Sequence, residues 1–198
     1  MGGTTYFIRK IVLDRIANTE EKRSFEEGSP ATYAKQFKMA FENDGWPGTN
    51  TIALRNALRE ISSKEEFGKV LKSYQKLYSS NLIKDMSDEL QTTEYNEMIQ
   101  IIEAKPLKKG QAPGAAAYSA WAKRLKAAFD KSYGFFSGTD DEAIKAVFSE
   151  VPTQSAFVQV GAAYKKLYGT NILEDLKSEG EFGQYDEYMK IIISKPKN

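Results

Sequence analysis

The chain repeats itself at an interval of 90 residues, and this constrains its fold more than any other feature. "PGTNTIALRNALREI", Pro47 to Ile61, is answered by "SGTDDEAIKAVFSEV", Ser137 to Val151. Gly48, Thr49, Ala53, Glu60, Phe67 and Val70 fall on Gly138, Thr139, Ala143, Glu150, Phe157 and Val160. The same step carries Tyr74, Leu77, Tyr78, Asn81, Asp85 and Glu89 onto Tyr164, Leu167, Tyr168, Asn171, Asp175 and Glu179, and it ends with Lys105-Pro106 on Lys195-Pro196. A register without a gap from Gly48 to Pro106 makes the chain two copies of one structural unit.

Each copy spells helices. Tyr33, Phe37 and Phe41 in "ATYAKQFKMAFEN", and Trp121, Leu125 and Phe129 in "YSAWAKRLKAAFDK", recur at steps of four and define one apolar face. This pair is offset by 88 residues, so the loop that follows is two residues longer in the second copy, "SYGFFSG" against "DGWPG". Leu54, Ala57, Leu58 and Ile61, matched by Ile144, Val147, Phe148 and Val151, form the buried stripe of a second helix. Thr139 with Glu142 reads as its capping box in the second copy, while Asn50 or Thr51 caps in the first. Ser63 with Glu66, and Thr153 after Pro152, start a third helix carrying Phe67, Val70, Tyr74, Leu77 and Tyr78 or their repeats. Gly169 is placed to end it. A short helix, "NLIKDMSDEL" or "NILEDLKSEG", and a last one stopped by Lys-Pro complete five per copy. Strand alternation is missing, so the expected class is all-α.

The charges nearly cancel, 28 Lys plus Arg against 27 Asp plus Glu, and they are interspersed. Nucleic acid is therefore not an expected partner. The longest basic cluster sets Lys108-Lys109 beside Arg124 and Lys126. There is no histidine and no cysteine, which removes the usual general base and the thiolate ligands. Asp140, Asp141 and Glu142 are the remaining catalytic candidates, and a helix's first turn already accounts for acids there. We expect no enzyme activity, no metal site and no cofactor. No apolar run reaches the length of a membrane span and no leader sequence is evident, which points to a cytoplasmic or particle-bound protein.

Residues 1–29 lie outside the repeat. Phe7, Ile8, Ile11, Val12 and Ile16 share one helix face, and this arm either packs on its own repeats or docks into another subunit. The charged "EEKRSFEEGSP" that follows reads as a tether. The expected organisation is an arm and tether at 1–29, a repeat at 30–106, a linker at 107–117 and a second repeat at 118–198. Trp46 and Phe135-Phe136 are loop aromatics that serve either as contact points for a partner or as plugs between helices, the plug being favoured for Phe136.

Gly-Thr-Asp-Asp-Glu at the second helix, "AYKKLYG" closing the third and "NILEDLKSE" as the fourth resemble the annexin repeat. The second copy, Trp121 to Pro196, carries the resemblance more fully than Tyr33 to Pro106. It implies two tandem five-helix units. It also implies calcium-dependent binding to acidic phospholipid through the loop before the second helix, with Glu89 and Glu179 as the acids. That family's loop has two glycines, and this chain replaces the first with Trp46 or Phe136, keeping only Gly48 and Gly138. Short degenerate units of this kind also resemble segments of structural proteins in tailed bacteriophages. The resulting expectation is a structural or docking subunit of a virion, oligomeric within its assembly, with calcium-dependent lipid binding as the alternative.

Overall fold

The structure is a computed structural model that describes residues 19–23, 25–43, 48–130, 132–133, 136–137, 140–179 and 184–198; for 132–133, 136–137 and 179 it describes the backbone only. The chain folds as two compact units. The first runs to Ile102 and includes Leu107–Lys109; the second comprises Glu103–Pro106 and Gly110 onward.

In the first unit a helical segment over residues 19–23 (α1) precedes α2 (Pro30–Glu42), α3 (Thr51–Glu60), α4 (Lys64–Tyr78), α5 (Leu82–Glu89) and α6 (Thr92–Glu103). The second has α7 (Ala115–Phe129), α8 (Asp141–Glu150), α9 (Gln154–Tyr168), α10 (Ile172–Glu179) and α11 (Gln184–Ile193). The fold is all-α. In the longer loop of the second unit, Ser132–Tyr133 (β1) and Phe136–Ser137 (β2) form a two-residue antiparallel ladder. The linker is shorter than the sequence suggests, because α7 starts at Ala115 and Ala117 is already buried.

The expected stripes build the cores. Leu54, Ala57, Leu58 and Ile61 are buried, as are Ile144, Val147, Phe148 and Val151. Phe37 and Leu125, on equivalent turns of α2 and α7, are fully enclosed. Truncating such a phenylalanine to alanine costs about 3–5 kcal/mol through lost transfer energy and the cavity left behind.

Polar repeats hold the helix ends. Asn50 and Asp140 cap α3 and α8 by accepting from the backbone amides of Ala53 (3.0 Å) and Ala143 (3.1 Å). The capping box expected from Thr139 and Glu142 is thus replaced by Asp140, one residue closer to the helix, where a carboxylate caps at least as well as a hydroxyl. The amides of the same two caps donate to the carbonyls of Ala40 and Ala128, so both loops close on the preceding helix at equivalent positions. The stretch after each Lys-Pro folds back: Glu65 and Ser155 donate from their backbone amides to the carbonyls of Leu107 and Lys197, both at 3.1 Å. These carbonyls accept amides that the first turns of α4 and α9 cannot pair internally.

Candidate functional site

The loop before the second helix is the site the sequence singles out. In the first unit, Asn43 takes a left-handed backbone, φ 37°, and closes α2 with its amide on the Met39 carbonyl. Its side-chain Nδ2 donates to the Gly48 carbonyl at 2.7 Å. Gly48 is at φ 90°, a conformation for which glycine is suited. The Gly48 carbonyl is therefore engaged by an amide. Calcium prefers six to eight oxygen ligands. Glu89, at the end of α5, is exposed, and among the described residues no group of three or more acidic or otherwise metal-ligating side chains converges. Trp46, Phe135 and the arm residues Phe7, Ile8, Ile11, Val12 and Ile16 lie outside the described residues, as do Gly138 and the Glu179 side chain.

Of the acids weighed for catalysis, Asp140 and Asp141 have structural partners. Asp140 caps α8. Asp141 accepts from the Tyr188 hydroxyl at 2.8 Å and from Lys145 at 3.0 Å. Arg124 does not extend a surface basic cluster: it is buried and donates both terminal nitrogens to Glu150, which also accepts from Trp121 Nε1 at 3.2 Å. Glu150 is the repeated glutamate of the opening motif, held in the second unit by residues of α7.

The main correction concerns the segment read as a tether. Glu20 is only 4% exposed, and Ser73 Oγ of α4 donates to it at 2.9 Å. Lys76 Nζ and Arg23 lie 3.3 and 3.2 Å from its other oxygen. Glu21 pairs with Lys35 of α2 at 3.3 Å, and the Lys35 ammonium stands 4.0 Å above the Phe25 ring. Ser29, at the end of the segment, caps α2 through the Thr32 amide. The segment is thus tied to α4 through Glu20 and to α2 through Glu21, Phe25 and Ser29. A charged run signals a tether only while its charges remain solvated, and here α2 and α4 supply partners that no local pattern announces.

Beneath that segment, Tyr78 is half-buried, and burial, followed by the nearby charges of Glu21 and Glu42, pushes its hydroxyl pKa up. In the second unit the same stripe ends differently. Leu167 is 43% exposed and Tyr168 36%, although the sequence sets both on the apolar stripe with Tyr164.

No protein-family model and no curated protein matches this chain. Solved structures with a similar arrangement of helices include annexin III, at 20% identity over 84% of this chain and 45% of that one, with a TM-score of 0.36. Chicken annexin V follows at 15% identity, 84% and 46% coverage and a TM-score of 0.36. A calcium-bound alpha-11 giardin has 14% identity, 83% and 50% coverage and a TM-score of 0.40. The chain spans about half the length of these proteins. Its class is that of an all-helical protein of two compact units. No described helix is long and apolar enough to cross a membrane.

Proposed function

We propose that this protein is a non-enzymatic docking subunit of a larger protein assembly, acting through helix faces. The observation that carries the reading is the seating of residues 19–23 against α2 and α4, where Ser73, Lys76 and Lys35 hold an acidic helical segment. The first unit thus holds an acidic helical segment against two of its own helices, which supports this reading. Asp140 and Asp141, which catalysis would need, are engaged in a cap and an ion pair. The finer assignment, a virion protein of a tailed bacteriophage, rests on the resemblance of these short degenerate units to segments of such proteins.

The test is to isolate a C-terminally tagged chain from its native source, with and without a calcium chelator, and to measure the mass of what accompanies it. A particle of fixed stoichiometry, unchanged by chelation, is the expected result. Recovery of the free monomer, together with calcium-dependent sedimentation on phosphatidylserine vesicles, would overturn the docking reading in favour of lipid binding.

A further inference from the structure

The groove that α1 occupies in the first unit is duplicated in the second. Lys35 and Lys76, which bind Glu21 and Glu20, recur as Lys123 and Lys166. Lys38 lies 5.9 Å from the Tyr78 ring, and its repeat Lys126 lies near enough to Tyr168 to lower that hydroxyl's pKa against the effect of burial. Glu42 and Asp130, at equivalent ends of α2 and α7, each push the neighbouring tyrosine the other way. The charged positions Lys35, Lys38, Glu42 and Lys76 and the tyrosine Tyr78 are therefore kept as Lys123, Lys126, Asp130, Lys166 and Tyr168.

Their occupancy differs. In the first unit, Ser73 is buried and Leu77 and Tyr78 are half-buried. In the second, Lys123, Lys166, Leu167 and Tyr168 are all exposed, and neither lysine has an ion-pair partner among the described residues. By correspondence with the first unit, these two cations and the exposed Leu167 and Tyr168 form a surface complementary to an acidic, apolar helix. The first unit shows which ligand such a surface accepts, since "TEEKR" sits there with Glu20 and Glu21 on the two lysines. Ala163 stands where Ser73 donates to Glu20, so this position of the second groove lacks a hydroxyl donor.

We propose that the α7/α9 groove of the second unit docks a helical segment of a partner protein bearing two adjacent carboxylates, seated as residues 19–23 are seated on α2 and α4. This rests on the docking reading above and names the surface and the chemistry of its partner. The chain's own segment is not the preferred occupant, because it gains the Ser73 bond and the advantage of an intramolecular ligand in the first unit.

A labelled peptide spanning residues 17–29 serves as the probe, titrated into the full ¹⁵N-labelled chain at low salt. The expected result is saturable binding with shift changes centred on Lys123, Lys166, Leu167 and Tyr168. Affinity should fall at least about tenfold in the Lys123→Glu/Lys166→Glu variant and weaken with added salt, since the attraction is between exposed charges. A peptide carrying Glu20→Lys and Glu21→Lys should not bind. Absence of saturable binding to the folded chain, equal binding to the double variant, or shifts confined to Lys35, Ser73 and Lys76 would overturn the proposal. A concentration-dependent dimer abolished by the same double substitution would assign the groove to a second copy and overturn the partner assignment. If the double variant still assembles into the native particle and the peptide fails to bind, this inference falls while the docking reading stands.

Discussion

The hydroxyl of Tyr164 donates to Asp175 Oδ2 at 2.6 Å, joining α9 to the first turn of α10, and Tyr74 makes the same bond to Asp85 at 2.7 Å. A third partner repeats as well, Thr170 in one unit and Ser80 in the other. Both tyrosines are fully buried, so the bond satisfies a hydroxyl that water does not reach. Replacing either tyrosine with phenylalanine should lower unfolding free energy by about 1–2 kcal/mol, measured by denaturant titration, because the aspartate keeps its other hydroxyl partner. The effects should add in the double variant, since the two bonds lie in different units.

The same pair makes stability pH-dependent in the alkaline range. Burial, and then the bond to the aspartate, raise both tyrosine pKa values above the ordinary 10.0. The folded protein therefore keeps protons that the unfolded chain releases above pH 10. This contribution is fully present below pH 10 and is lost as the pH rises beyond it. Melting temperature should fall steeply above that point, and the fall should be shallower in Tyr74→Phe/Tyr164→Phe.

Helix α4 ends at Ser79 with φ 54°, whereas α9 ends at Gly169 with φ 78°. A left-handed backbone strains any residue with a Cβ. Ser79→Gly should stabilise the protein by about 0.5–1 kcal/mol, and Gly169→Ser should destabilise it by a similar amount. Space around Gly169 is open, so the second effect comes from backbone conformation alone. Thermal denaturation of the two single variants checks both signs.

Arg55 grips Glu97 with two bonds, 2.6 and 2.8 Å, between α3 and α6. At the repeated positions, Lys145 meets Glu187 at 3.0 Å with both side chains more exposed. A planar fork holds a carboxylate better than a mobile ammonium does. Double-mutant cycles to alanine should give a coupling of about 1 kcal/mol for the first pair and below about 0.5 kcal/mol for the second.

Glu20→Ala should loosen the N-terminal segment by removing the partner of buried Ser73. The expected cost is about 1–3 kcal/mol, confined to the first unit. Limited trypsin digestion at Lys22 and Arg23 should accelerate, while cleavage within α9 should not.

The repeat register alone is enough to define two copies, five helices in each and the face each helix turns inward. Those properties depend on side chains at local spacings of three and four, and the core residues from Leu54 to Ile61 and from Ile144 to Val151 obey them. Asn50 is legible as a cap for the same reason. Duplication also marks Tyr74, Asp85 and their repeats without revealing that they bond to each other, because the tyrosine–aspartate contact joins two helices. What the tertiary structure decided are the relationships between residues far apart in sequence. Glu20 meets Ser73 and Lys76, Arg124 meets Glu150, and the identical Leu-Tyr pairs at 77–78 and 167–168 have different exposures. By local pattern Glu20 belongs to a solvated tether and Arg124 to a basic cluster. Whether a charge is solvated or paired depends on which distant helix reaches it, and folding alone brings that partner within hydrogen-bonding range.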